Sequence, residues 1–314
     1  MPSPSHLPVL LAAFLDLAKP APGSRWVDGT FGRGGHTRAL LERGCLVLAL
    51  DRDAAAMAAA SRLQDSFPSQ MKAAHSDFRD LAARAAEIGW DEVDGVLLDL
   101  GVSSPQLDDP ARGFSFRHEA PLDMRMDQRQ EETAAKLVGR LEEEELVELF
   151  MTLGDEPKSD ARRIARAIIT RRFDRPIATT ADLAEVVADA LPRRRHGRIH
   201  PATQVFQALR MRVNREPEAL EKALPTATEI LRPGGVLAVI SFHSGEDRVV
   251  KHFMREGARV HLPTPAFDPV PKPNPGHVFS RVERALPDEA ELSENPRARS
   301  ARLRVAWKKG GLPA

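Results

Sequence analysis

The spacing of apolar positions changes period several times along the chain. Residues 9–18 (VLLAAFLDLA) carry a stripe of helical spacing and predict a short helix. From residue 25 onward, short apolar runs alternate with helical patterns. RWVDGT (25–30), CLVLALD (45–51), MKAAHSD (71–77) and VDGVLLDLG (93–101) have strand length, and the last is the strongest buried strand in the chain. Between them, 35–44, 53–66 and 78–89 read as helices, the first stopped by Gly44. Near-continuous apolar runs separated by helices predict βαβ units and a parallel sheet covered on both faces.

The rhythm breaks at about residue 106. From there to about 200 the patterns are helical and no run reads as a strand. Charge is segregated in this stretch. Residues 119–156 hold twelve acidic and four basic side chains, whereas 158–215 hold fourteen basic and five acidic. Helices at about 202–231 lead back to a buried strand, GGVLAVISFH (234–243), and then to a helix at about 246–256. Residues 261–277 are proline-rich and predict an extended loop, and HVFSRV (277–282) with ARLRVAWK (301–308) predict a closing pair of strands. The expected organisation is a discontinuous α/β domain, residues 1–105 and 206–314, interrupted by a helical insertion at 106–205.

Composition narrows the function classes. The 314 residues are 42% hydrophobic, enough for a substantial core, and 45 Lys plus Arg balance 45 Asp plus Glu. Zero net charge excludes a uniformly basic nucleic-acid coat but not local patches. One cysteine, Cys45, excludes an intramolecular disulfide and a cysteine-cluster metal site, and fits a reducing, cytoplasmic location. No apolar run approaches membrane-span length, and the N-terminal stretch lacks a cationic n-region and carries Asp16, so neither a membrane association nor a signal peptide is expected.

Candidate chemistry gathers at the strand ends. The first strand runs into VDGTFGRGGH (27–36) and then a helix. Glycines there allow a sharp turn and close backbone approach to a ligand. The turn does not match GxGxxG: counting from Gly32, the third glycine falls on Thr37. A glycine turn without the pyrophosphate fingerprint suits a nucleoside such as S-adenosylmethionine. Asp51 closes the second strand, where a carboxylate can accept from ribose hydroxyls. Asp77-Phe78 closes the third, offering an acceptor and an aromatic face for adenine, and Asp99 closes the fourth. All four ends share the carboxyl edge, where such sheets bind ligands. Each feature alone has a plainer reading as turn or helix cap; their coincidence is the signal.

At DLGVSSPQLD (99–108), together with VDGTFGRGGH, the chain resembles the small-subunit ribosomal RNA cytosine-N4 methyltransferase family, called RsmH or MraW. The resemblance continues through RGFSFR (112–117), PLDMRMD (121–127), HPATQVFQALRMRVN (200–214), LRPGGVLAVISFHSGEDRVVK (231–251) and ENPRARSARLRV (294–305). It implies a Rossmann-like class I S-adenosylmethionine-dependent methyltransferase carrying an all-helical insertion. It implies S-adenosylmethionine as methyl donor. The implied acceptor is N4 of a cytidine in the decoding (P-site) region of 16S ribosomal RNA. By matching position, the donor-binding residues are Gly32 and Gly34, Gly35, His36, Asp51, Phe78, Asp99 and Gln106. The chain departs from the family at Gly245, where leucine is usual, and at Gln204, where arginine is usual.

Methyl transfer from a sulfonium is an in-line displacement that requires no metal and depends on alignment. The cytosine amine is a poor nucleophile, and an acceptor on its N–H groups would orient it. Asp99 is the first candidate for that role or for holding the donor's amino group; Ser103, Ser104 and His243 are further catalytic candidates. Ser244 and Asp247 read as a capping-box start to the following helix. PLDMRMD, with Arg125, is expected as a loop near the target base, and Arg193, Arg194, Arg195 and Arg198 as a phosphate-binding patch in an RNA-recognising insertion. The expected partner is 16S ribosomal RNA within the small subunit; a homodimer stays open. Competing readings are a nicotinamide-dependent oxidoreductase, a non-catalytic ribosome-assembly factor, and a methyltransferase acting on DNA or protein.

Overall fold

The computed structural model describes residues 8–191, 200–263 and 271–310. The chain divides into two compact units, Met1–Gly101 with Ala219–Ala314, and Val102–Glu218. The sequence pattern predicts these boundaries at 105/106 and 205/206.

The first unit contains α1 (Leu11–Ala18), β1 (Arg25–Asp28), α2 (Gly35–Leu41), β2 (Leu46–Asp51), α3 (Ala54–Ser66), β3 (Met71–His75), α4 (Leu81–Glu87) and β4 (Val93–Asp99). The second contains α5 (Ser104–Asp108), α6 (Ala134–Arg140), α7 (Glu143–Thr152), α8 (Lys158–Asp174), α9 (Thr180–Ala190) and α10 (Ala202–Val213). Helix α11 (Glu216–Ile230) leads back to the first unit, which closes with β5 (Leu231–Ser241), α12 (Ser244–Gly257), β6 (Phe279–Ala285), α13 (Glu289–Glu294) and β7 (Arg302–Lys308).

The strands form one sheet in the order β3-β2-β1-β4-β5-β7-β6. Strands β1 to β5 pair in parallel, and β7 runs antiparallel to both neighbours. Five parallel strands with helices on the sheet, extended by an antiparallel strand, make the Rossmann-like α/β sheet that the sequence predicts. Residues 96–98 of β4 are fully buried, because helices cover both faces of a parallel sheet. One close approach requires glycine. Trp26 of β1 pairs with Gly95 of β4, and a Cβ at Gly95 would lie 2.3 Å from the indole ring.

The second unit is a helical bundle around Leu137, Phe150, Ile164, Ile168, Leu183, Val205 and Leu209. Helix α10, through which the predicted boundary ran, packs here because Val205, Phe206, Ala208 and Leu209 face this core. The acidic run at 142–145 is a helix start: Glu142 caps α7 in a capping box with Glu145, and negative charge favours that end of the helix dipole. The acidic and basic blocks pair with each other. Arg166 bonds Glu143 at 2.9 Å, while Arg172 donates to the carbonyls of Val138 and Leu141.

Candidate functional site

The carboxyl edge of β1, β2 and β4 gathers the residues that the sequence singled out in the first unit. The turn after β1 is left-handed at Gly32 (φ 55°) and Gly34 (φ 76°). A Cβ at Gly34 would lie 2.4 Å from the Phe31 ring, so this position needs glycine for both conformation and space. Gly35 opens α2, and its own Cβ would meet Pro8 at 2.2 Å.

Asp51 is tied to that turn. Gly32 N–H donates to Asp51 Oδ2 at 2.8 Å, and Asp53 N–H donates to Oδ1 at 2.8 Å. Asp53 itself caps α3 by accepting from Ala55 N–H. The carboxylate is thus oriented before any ligand arrives, with further lone pairs to offer. Burial pushes its pKa up against the pull of those two bonds.

Asp28, the last residue of β1, sits beneath the turn. It is 1% exposed; its Oδ2 accepts from the Thr37 hydroxyl at 2.6 Å and its Oδ1 from Thr30 N–H at 3.1 Å. Burial raises its pKa from 3.8 to about 6, and the charge of Asp51 adds to the rise. Thr30 also joins the strands: Asp99 N–H donates to its hydroxyl at 2.6 Å.

Asp99 closes β4. Its Oδ1 is sealed from solvent and has no hydrogen-bond partner, although the side chain as a whole keeps 27% exposure. Burial, then the charges of Asp28 and Glu246, hold this carboxyl well above the usual range. His36 Nε2 lies 3.1 Å from the Val9 carbonyl, which requires the proton on Nε2 and leaves Nδ1 facing Asp99 Oδ2 at 3.7 Å. Burial lowers the His36 pKa to about 4, so the ring is neutral near pH 7.

The end of β5 differs from expectation. The cap of α12 is His243, not Ser244: Glu246 N–H donates to His243 Nδ1 at 3.4 Å. His243 Nε2 lies 3.0 Å from Glu246 Oε1 without hydrogen-bond alignment. Glu246 Oε2 accepts from Phe242 N–H at 2.9 Å. Asp247 does not complete a capping box; it is bound by Arg304 at 2.7 Å and Arg302 at 2.9 Å, which lower its pKa. Both arginines lie on β7, more than fifty residues away in sequence, and no local pattern announces them. At the departure Gly245, an added Cβ would stand 3.2 Å from the His243 ring, so the small residue leaves that ring its present position.

Phe78 lies 8% exposed within the core that covers the sheet, among Val27, Leu48 and Leu50. Its side chain serves packing. Asp77 caps the turn that follows β3, accepting from Arg79 N–H, and pairs with Arg52 at 3.4 Å.

A family model described as MraW methylase family matches residues 3–309. The chain belongs to this family. Similar members include the ribosomal RNA small subunit methyltransferase H of Thermomicrobium roseum, 49% identical over 311 residues, spanning 97% of this chain and 94% of that one. The protein of the same name from Methylacidiphilum infernorum is 46% identical over 306 residues, spanning 97% and 94%.

Other candidate residues of this MraW-family chain lie in the second unit. Ser103 N–H donates to Gln106 Oε1 at 2.9 Å, closing a capping box at the start of α5; Ser104 is the first residue of that helix. PLDMRMD is a loop whose Met124 and Met126 are buried. Asn214 clamps it: the side-chain oxygen accepts from Met126 N–H at 2.8 Å and the amide donates to the Met124 carbonyl at 2.8 Å. Arg125 bonds Asp123 at 2.7 Å and the carbonyl of Gln130 at 2.7 Å. Its guanidinium therefore braces the loop. Among the described residues the Gln204 side-chain amide donates to the Asp155 carbonyl at 3.5 Å. Arg193, Arg194, Arg195 and Arg198 lie outside the described residues. Among the described residues no His, Cys, Asp and Glu group is arranged to hold a metal ion, and no helix is long and apolar enough to cross a membrane.

Proposed function

We propose that this chain transfers a methyl group from S-adenosylmethionine to the exocyclic N4 of a cytidine in the decoding (P-site) region of 16S ribosomal RNA. The observation that carries the donor is the sealed, unpartnered Oδ1 of Asp99, set among the charges of Asp28 and Glu246. Uncompensated negative charge in a low-dielectric site attracts a cation and repels an anion. A donor with an ammonium and a sulfonium complements it, whereas the pyrophosphate of a nicotinamide cofactor would meet repulsion. The failed GxGxxG pattern points the same way. The ribosomal acceptor is supported by the names of the similar proteins; the N4 atom follows from the sequence resemblance.

When bound, S-adenosylmethionine supplies a methyl group on positively charged sulfur, open to in-line displacement. Asp51, pre-oriented by Gly32 and Asp53, accepts from the ribose hydroxyls with its remaining lone pairs. Gly34 and Gly35 let the backbone of the turn approach closely. Asp99 accepts an N–H, from the donor's ammonium or from the cytosine amine, and in the second case favours the nitrogen lone pair as the N–C bond forms and the methyl–sulfur bond breaks, the methylated nitrogen then releasing a proton to solvent. His36 stays neutral and fixes the flank of Asp99. By the family resemblance Gln106 belongs with donor binding, Ser103 and Ser104 are further acceptor candidates, and the arginines at 193–195 and 198 supply RNA contacts in the second unit.

The test offers labelled S-adenosylmethionine with unmodified small subunits, and separately with naked 16S RNA, followed by nucleoside mass spectrometry. N4-methylcytidine is the expected product, and the two substrates show whether an assembled subunit is required. Absence of transfer to both, with tight donor binding, would overturn the enzymatic reading in favour of an assembly factor. Asp99→Asn then separates the two roles: loss of donor affinity marks the ammonium contact, and loss of kcat at unchanged donor affinity marks the amine contact.

A further inference from the structure

In sequence the two charge blocks of the second unit nearly balance, but the first unit carries a cationic surface on α12. On α12, Arg248, Lys251 and Arg255 are exposed at helical spacing, and Arg259 follows just beyond the helix end. His252 shares the exposed side, and no carboxylate interrupts the series from Arg248 to Arg255. An open groove of about 540 Å³ runs beside it, lined by Lys251, Arg255, Arg259, Arg281, Arg304 and Ser280 among others, with no acidic residue in its lining. In a chain of zero net charge this is a local excess.

The groove is braced for an anion. Arg281 of β6 stands over the Trp307 ring at 4.5 Å and pairs with Glu283. Arg304 is buried and held by Asp247. Arg255 and Arg259 share the single carboxylate of Glu256. Arg248 and Lys251 have no ion pair among the described residues, so their charge is free for a partner. From Arg248 to Arg259 the series extends roughly 16 Å at about 1.5 Å per residue. A line of cations of that length matches a polymeric anion better than a single phosphate or nucleotide.

We infer that the α12–β6 groove of the first unit is a phosphodiester-binding surface for the RNA substrate, independent of the arginines of the insertion. This rests on the RNA-methyltransferase reading for the identity of the polymer. Contacts there act on docking and not on the methyl-transfer step.

The test replaces three exposed cations together, Lys251→Ala, Arg255→Ala and Arg281→Ala, leaving Arg304 to hold Asp247. A control variant removes the same charge elsewhere in the unit, with Arg38→Ala, Arg62→Ala and Lys72→Ala, all exposed. Binding of a fluorescent single-stranded RNA oligonucleotide is followed by anisotropy between about 50 and 200 mM salt. The groove variant should bind at least about tenfold more weakly, with a salt slope smaller by about two, at about 0.7 per phosphate contact on a single strand. In methyl transfer its KM for RNA should rise while kcat and donor affinity stay unchanged. Equal effects in groove and control variants, or no effect in the groove variant while the wild type methylates RNA, would overturn the inference and leave the enzymatic reading intact. Weakened binding specific to the groove variant in a protein that transfers no methyl group would sink the enzymatic reading and support the groove.

Discussion

Asp28→Asn isolates the electrostatic cost built into the glycine turn. The carboxyl ends β1, is 1% exposed, and is held from its ordinary 3.8 up to about 6, chiefly by burial. Because the folded pKa is raised, the folded state holds this proton more tightly than the unfolded chain. The contribution to stability is therefore full below the unfolded pKa and is lost as pH rises through about 6. At about 1.4 kcal/mol per pKa unit, ionising Asp28 costs the folded protein about 3 kcal/mol above that range. Asparagine keeps the shape and can still accept from Thr30 N–H, but it never ionises. The stability of the variant relative to wild type should therefore rise by about 2–3 kcal/mol between about pH 4 and pH 8. Trp26, Trp90 and Trp307 all lie in the first unit, so tryptophan fluorescence during urea unfolding reports on that unit alone. Two parallel stability–pH profiles would refute the reasoning, because the carboxyl would then ionise as easily in the fold as in the open chain.

Three further outcomes follow from the same geometry. Asp51→Ala removes the acceptor for Gly32 N–H and for the ribose, so donor affinity measured by calorimetry should fall at least about tenfold; unchanged affinity rejects the role. Gly34→Ala forces a left-handed alanine whose Cβ meets the Phe31 ring at 2.4 Å; it should lower stability by about 1–2 kcal/mol or more and weaken donor binding, and a wild-type melting curve would contradict the strained turn. Gly95→Ala places a methyl 2.3 Å from Trp26 and should cost about 1–3 kcal/mol, seen in the same fluorescence-monitored unfolding; a neutral effect would mean that β1 and β4 are spaced more loosely than described.

Much of the fold is legible in the sequence. Strand and helix periods located β1 to β5 and their helices, since buried parallel strands must be apolar on both faces. The glycine turn, the acidic strand ends, the helical interruption and the full-length family motifs were likewise readable, because each is a local pattern of residue types. Tertiary structure alone decided how those groups are used. Asp51 is pre-oriented by Gly32 nineteen residues earlier, Asp247 is claimed by arginines on β7, and Phe78 is drawn into the core. Asp28 and Glu246 add negative charge around Asp99, which keeps one oxygen without a partner. The cations of α12 become a groove only when β6 folds beside them. Periodicity is set by neighbours within a turn or two of chain. Hydrogen-bond satisfaction, burial and electrostatic field are set by atoms brought together across the sheet, and these determine which acid is a brace and which is left without a partner.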